Sequence, residues 1–309
     1  MKRIVVSFAL LLSVAFGASA AAANQQSVTY KGITITPAIV NVELAPNQAS
    51  TSFKIHIANN QNQAISLSTS SLDFKSLNET GGVAFIGSSA GSLEHKYGLA
   101  NWLTVPNKPL SLATNKGETI EVTIDNRQDL SPGGHYAAVL FKNSADTSSK
   151  SNRVSLNQVV AALVFLKKTG GEIFQLQLQD PKLKNVWFSL PSSIGLRISN
   201  TGNTQTIPRG TVNIFGPNGK LYEKGLINPD SGLVLPDSTR FYRTDMLKTG
   251  HSWLPGRYKV IITYRAEDIE QAQTAEFSFI YYNIGAVAAM VAILAILVTF
   301  IRFIRHRKK

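Results

Sequence analysis

Ile284 to Ile301 (IGAVAAMVAILAILVTFI) is a run of eighteen residues without a charge, and Arg302, Arg305, His306, Arg307, Lys308 and Lys309 follow at once. About eighteen apolar residues is the shortest helix that crosses a hydrocarbon layer of roughly 30 Å. A helix ending in such a row of cations would make a poor core element, so the run is expected to span a membrane and to tether everything before it. The positive flank, beginning with Arg302 and Arg305, is expected on the cytoplasmic side, with Tyr281 and Tyr282 in an aromatic belt on the opposite face. The expected helix covers residues 282–303 and the basic tail 304–309. Within it, Gly285 with Ala289 and Ala288 with Ala292 form small-x-x-x-small pairs that offer a face for a homodimer.

At the other end, Lys2 and Arg3 precede an apolar run from Ile4 to Phe16 and the small residues Gly17-Ala18-Ser19-Ala20. This pattern is a secretory signal, residues 1–20, with cleavage after Ala20. The two segments agree on a single-pass cell-membrane protein whose bulk lies outside. The net charge of +12 then needs partitioning. Two cations belong to the signal and five to the tail, which leaves 24 cations against 19 acids, a net +5, on the exported part. With lysines dispersed along it, nucleic acid is not an expected partner. The chain has no cysteine, which excludes disulfides, thiolate chemistry and Cys-ligated zinc. Stability must come from cores, and roughly 260 exported residues suffice for two ordinary domains.

From Val28 to Leu166 the dominant pattern is alternation, with no sustained helical period. Ile33-Thr34-Ile35-Thr36, Phe53-Lys54-Ile55-His56-Ile57, Ile65-Ser66-Leu67-Ser68, Ile120-Glu121-Val122-Thr123-Ile124 and Tyr136 to Phe141 read as strands with one face inward. Asp146 to Asn152 reads as a hairpin tip, and Val159 to Leu166 as a strand covered on both faces. Residues 76–109, loose and glycine-rich, read as an inserted loop. After Gly170-Gly171 a second β region runs through Ile194 to Ser199, Gly210 to Phe215, Tyr258 to Tyr264 and Ala275 to Phe279. The expected fold is all-β: two tandem immunoglobulin-like β-sandwiches, residues 28–169 and 172–280.

Two marks recur in the same order in both halves. A strand runs into an asparagine turn at Asn59 and again at Asn200, and a Pro-Gly pair closely followed by Tyr opens a strand as Pro132-Gly133-Gly134-His135-Tyr136 and again as Pro255-Gly256-Arg257-Tyr258. In immunoglobulin-type sandwiches such a tyrosine bonds back to the preceding corner. The marks stand 77 residues apart in the first half and 58 in the second, which places the enlargement in or near residues 76–109. Insertions on a scaffold are where binding usually sits, so Trp102, Tyr97 and His95 are the candidate binding residues. Trp187 and Trp253, like Trp102, are expected in a core or at a domain junction rather than as carbohydrate platforms.

No metal, cofactor or catalytic residue is assigned. The histidines His56, His95, His135 and His251 are scattered, and the chain has no nucleophile elbow, phosphate loop or dinucleotide fingerprint. An envelope enzyme would need His95, His135 and an acid to converge.

The order Ile35-Thr36-Pro37, Leu44-Ala45-Pro46, Asn59, Trp102-Leu103, Ile120 to Ile124 and Pro132-Gly133-Gly134-His135-Tyr136 resembles the first domain of WxL-interacting surface proteins of Gram-positive bacteria. Ile198 to Asn203 and Leu235-Pro236-Asp237-Ser238 look like their second. The resemblance implies a non-enzymatic surface protein that binds peptidoglycan through the first domain and other envelope proteins through the second, with no individual binding residue carried over. The alternative reading is a membrane-tethered assembly chaperone or pilus-type adaptor acting by strand addition.

Overall fold

The alternation is realised as strands in the computed structural model, which describes residues 26–86, 96–143 and 159–307. The signal segment 1–20, His95 and the hairpin tip 146–152 lie outside the described residues. The first domain contains β1 (Val28–Tyr30), β2 (Ile33–Thr36), β3 (Ile39–Leu44), β4 (Ser50–Asn59), β5 (Ile65–Leu77) and β6 (Gly82–Ile86). It continues with a 3-10 turn at Ala100–Trp102, then β7 (Leu103–Thr104), β8 (Leu110–Leu112), β9 (Gly117–Asp125), β10 (Gly133–Asn143) and β11 (Val159–Lys168). Residues 76–109 thus hold the end of β5, β6, the turn and β7.

One sheet has the order β1-β2-β4-β9-β7 and the other β3-β11-β10-β5-β6, with β8 also on β5. One run of chain, Ile33 to Leu44, is shared between them. Its early part, β2, pairs with β4, and after the cis Thr36–Pro37 bond its continuation, β3, crosses to pair parallel with β11. Ile55, Ile57, Ile120, Val122 and Ile124 on one sheet meet Ala137, Val139, Phe141, Val160, Val164 and Leu166 on the other in a single core.

The second domain contains β12 (Leu176–Gln179), β13 (Ser193–Asn200), β14 (Pro208–Phe215), β15 (Leu221–Ile227), β16 (Ser238–Lys248), β17 (Gly256–Ala266) and β18 (Gln273–Tyr281). Its strands follow the order β12-β13-β16-β15-β14-β17-β18. The long β16 hands over from β13, along Ser238 to Asp245, to β15 at Met246 to Lys248. This joins two faces around Leu196, Ile198, Val212, Ile214, Val260 and Ile262, with Tyr222, Tyr258, Phe279 and Tyr281 as aromatic filling. Both domains are immunoglobulin-like β-sandwiches. Helix α1 (Ile284–Arg307) follows β18 after two residues. At about 1.5 Å per residue, its 24 residues are long enough to cross a bilayer.

The repeated marks do repeated jobs. Asn59 and Asn200 are both buried, and each donates from Nδ2 to the carbonyl four residues on, Gln63 at 2.8 Å and Thr204 at 2.7 Å. Each also donates across to the opposite loop, Asn59 to Leu112 and Ala113 and Asn200 to Val234. Each accepts the N–H two residues ahead on Oδ1. The glycines of the Pro-Gly pairs, Gly133 and Gly256, take φ of +121° and +144°, a region that favours glycine.

Candidate binding cleft between the two domains

Strand β10 is buried on both faces along nearly its whole length. Ala137, Val139 and Phe141 point into the first domain's own core, while Tyr136, Ala138 and Leu140 point out of it. An outward apolar row on a sheet needs cover. Phe74 from β5 and Phe165 from β11 join it, and Leu233 and Leu235 of the second domain close over them. Phe74, Tyr136 and Phe165 form a triangle of rings with centroids 5.3 to 5.7 Å apart, within the range where tilted aromatic pairs attract. The two sandwiches therefore share a third core between them.

Polar contacts frame this core. The Tyr136 hydroxyl donates to Gln205 Oε1 (2.8 Å) and accepts the Gln205 N–H (3.0 Å), both across the domain boundary. Asn203 holds the junction from three sides. Its Nδ2 donates to the carbonyls of Pro132 and Gly171, its Oδ1 accepts the Ile173 N–H, and its own carbonyl accepts the Gly134 N–H. A side chain at Gly133 would come within 2.7 Å of that Asn203 carbonyl, so glycine is required there by close approach as well as by φ. The turn between β5 and β6 reaches the second domain too. Glu79 pairs with Arg197 through both carboxylate oxygens, and its carbonyl accepts the Phe241 N–H (2.9 Å).

A third bridge comes from residues 96–102. Asp73 on β5 pins that segment by accepting the N–H groups of Leu99 (2.8 Å) and Ala100 (2.7 Å). Lys96 Nζ (2.7 Å) and the Tyr97 hydroxyl (2.9 Å) then both donate to Asp237 Oδ2 in the second domain. Burial alone would raise the Asp237 carboxyl, but these two donors outweigh it and hold it below its ordinary value. The hydrogen bond to Asp237 raises Lys96, and burial raises the Tyr97 and Tyr136 phenols.

Between these clamps the two domains leave a recess of about 250 Å³, lined by Ile39, Val83, Leu163, Phe165, Leu233 and Arg240 among others. Its lining is mostly apolar, with the Arg240 guanidinium at the wall donating to the Leu233 carbonyl (2.7 Å). The recess runs onto an open strand edge. β3 covers β11 only from Leu163 to Lys168, so Val159 to Ala162 pair with β10 on one side and with no strand on the other among the described residues. Leu163 donates its N–H to Ala38 on the β3 side (2.9 Å). Residues two apart in a strand aim their N–H groups the same way, so Val159 and Ala161 present theirs to the open edge. The side chains of Val159, Ala161 and Leu163 are partly or well exposed and lead into Phe165 at the recess.

No family model and no curated protein matches this chain. Among solved structures, it is similar to a chain of a chaperone–tip adhesin complex of CFA/I fimbriae at 12% identity and TM-score 0.41, covering 80% of this chain and 98% of that one. It is also similar to the YadV chaperone at 14% identity and TM-score 0.36, covering 80% and 100%. A third is a chain of the Salmonella enterica SafA pilin complex with the SafB chaperone, at 10% identity and TM-score 0.36, covering 82% and 98%. Scores this far below 0.5 say nothing about what the present chain binds.

Of the candidate binding residues Trp102, Tyr97 and His95, the last lies outside the described residues. Tyr97 is at the junction, its hydroxyl engaged by Asp237. Trp102 packs partly buried against the first core, with Nε1 3.4 Å from Asp129 Oδ1. His135 is buried between the carbonyls of Ser131 (2.8 Å) and Gly98 (3.2 Å), and burial lowers its pKa. Among the described residues no group of three or more histidines and acids is placed to hold a metal ion.

Three expectations change. Tyr136 does not bond back along its own corner, as Tyr258 does to the Leu254 carbonyl (2.8 Å); one residue further from its glycine, it faces out of its sandwich to Gln205, and His135 bonds back to Ser131 instead. Tyr281 is not a belt residue but the last inward residue of β18, its hydroxyl held by the carbonyls of Phe188 and Ser252. Trp187 and Trp253 are exposed at the end of the second domain nearest α1 rather than buried. The residues that build the junction, Asn203, Gln205, Glu79 and Asp237, read in sequence only as turn polar residues. The apolar run Tyr136-Ala137-Ala138-Val139-Leu140-Phe141, greasy on both faces, was the one available signal that a partner covers β10.

Proposed function

We propose that this protein is a membrane-tethered, non-enzymatic holder of extended segments of other envelope proteins, acting as an assembly chaperone or adaptor by strand addition. The observation that carries this reading is the open edge of β11 running into an apolar recess between two clamped domains. An unpaired edge offers backbone hydrogen bonds to an incoming strand, and alternate side-chain pockets beside it supply selectivity. The recess fits the apolar side chains of a peptide better than the hydroxyl-covered face of a wall polymer, and Arg240 adds one charge-assisted contact. In this reading α1 crosses the membrane, with the two domains outside and the basic tail in the cytoplasm, which keeps the cleft beside proteins emerging at the surface.

A photoreactive residue in place of Val159 tests it in cells. Cross-linking to a discrete envelope protein is expected, with none from the same probe at Leu226 on the second domain. Ala161→Pro is expected to abolish the adduct while leaving the fold intact, because proline is tolerated where the lost N–H faces outward from an edge. Cross-linking that persists in Ala161→Pro would contradict strand addition. Saturable sedimentation of the full chain with purified peptidoglycan through about 0.3 M salt, where exposed charges are largely screened, would favour wall binding instead.

A further inference from the structure

The end of the second domain from which α1 departs differs from the rest of its surface. Trp187, Phe188 and Trp253 are 52%, 75% and 64% exposed there, on two loops that flank the passage from β18 into α1. Single exposed apolar residues are ordinary, but a cluster of large aromatic ones marks a contact surface. Both loops are fastened to the start of the helix. Tyr282 donates its N–H to Val186 and Ile284 its N–H to Trp187 (both 2.9 Å), and the Trp187 and Tyr282 rings stack with centroids 4.2 Å apart. Asn283 Nδ2 donates to the Trp253 carbonyl (2.6 Å), while its Oδ1 accepts the Ala286 N–H and so caps the helix (3.2 Å). With only Tyr282 and Asn283 between β18 and α1, and both engaged, the aromatics and the first turn of the helix form one unit at one level.

That level is where the chain would enter the bilayer. Aromatic side chains with a polar handle prefer the boundary between hydrocarbon and water. Lys184 stands on the same loop as Trp187, with Lys182 3.4 Å from Asp180, and Lys248 stands beside Trp253, as cations suited to phosphate groups. Between the two loops lies a recess of about 540 Å³ that includes Phe188, Lys248, His251, Trp253 and the buried Glu223. Glu223 is 2% exposed, and its Oε2 has no hydrogen-bond partner among the described residues.

We propose that this end of the second domain is seated in the phospholipid headgroup layer, with Trp187, Phe188 and Trp253 inserted at the boundary and the recess between them open to headgroups. The proposal rests on the reading of α1 as a membrane span and adds that the domain itself binds lipid. Its consequence is that the cleft between the domains stands at a fixed height and orientation over the membrane instead of swinging on a tether.

The chain's three tryptophans, Trp102, Trp187 and Trp253, make the test direct. The full chain is reconstituted into phosphatidylcholine–phosphatidylglycerol vesicles with or without bromine near the carbonyl end of the acyl chains, and flotation is read beside tryptophan emission. Wild type is expected to float and to lose about half its emission in brominated vesicles. Trp187→Phe and Trp253→Phe should each lose less, and the double variant, reporting Trp102 alone, should lose none. A chain that floats while Trp187 and Trp253 emit equally in both kinds of vesicle overturns the lipid seat and leaves the span standing. A chain that does not float overturns the span, and the seat with it.

Discussion

The two domains carry the same local marks and use one of them differently. Asn59 and Asn200 make matching sets of bonds inside their own domains. Tyr136 and Tyr258 both follow a Pro-Gly pair with positive φ, yet Tyr258 bonds to its own corner and Tyr136 to Gln205 of the neighbouring domain. The difference follows from spacing: two residues separate Gly133 from Tyr136 and one separates Gly256 from Tyr258, and since successive strand residues face opposite ways, Tyr136 points outward under the second domain while Tyr258 points into its own core. One residue of spacing decides which face of the strand the side chain leaves from, and in the first domain it is His135, with Nε2 2.8 Å from the Ser131 carbonyl, that takes the corner position of Tyr258.

The largest test sharpens the likeness. Asn59→Ala and Asn200→Ala should each cost about 3 kcal/mol, because each leaves buried carbonyls and an N–H without partners. Hydrogen exchange resolved by domain should show the loss confined mainly to the mutated half. Equal loosening of both halves by either variant would break the parallel.

Next in size is an opposed pH response. Burial of Glu223 pushes its carboxyl from 4.5 up to about 6. The folded second domain thus holds a proton that the unfolded chain releases, and its stability should fall as pH rises from about 4.5 past 6, by about 1–2 kcal/mol. His135 is lowered from 6.5 by burial, so the first domain keeps its full stability above 6.5 and loses it as pH falls. Domain-resolved exchange at pH 5 and pH 8 should show opposite trends, removed by Glu223→Gln in one half and His135→Gln in the other.

A smaller effect separates the two tyrosines. Tyr136→Phe and Tyr258→Phe should each cost about 1–1.5 kcal/mol. Only the first should lower the cooperativity of unfolding between domains, seen as a smaller denaturant slope. A matching loss in Tyr258→Phe would mean that the junction is not what Tyr136 serves. Smallest is the Glu79–Arg197 pair at the surface, where Glu79→Gln should destabilise less than any of the variants above and lose that effect in high salt.

Much of this architecture was legible in the sequence. Alternation marked the strands because one face of each, such as Ile55-Ile57 or Ile120-Val122-Ile124, must turn inward, and the apolar length of Ile284 to Ile301 marked the helix. The paired Asn turns and the Pro-Gly-x-Tyr of Tyr258 were readable because they act on backbone a few residues away. The junction was not. Asn203, Gln205, Glu79 and Asp237 are ordinary turn residues whose partners lie tens of residues off, and no local pattern encodes that pairing. Tyr281 was readable in principle, since Phe277, Phe279 and Tyr281 continue one inward row of β18, but its place beside the apolar helix suggested lipid instead. The open edge of β11 exists only because β3 stops pairing at Leu163, a matter of register.

The most direct measurement is amide exchange at Ala161 in the full chain, alone and in complex with the protein captured through Val159, with Leu163 as an internal reference. The account predicts that Ala161 exchanges far faster than Leu163 in the free chain and becomes as slow as Leu163 in the complex. Ala161 already protected in the free chain, or still fast in the complex, would contradict it.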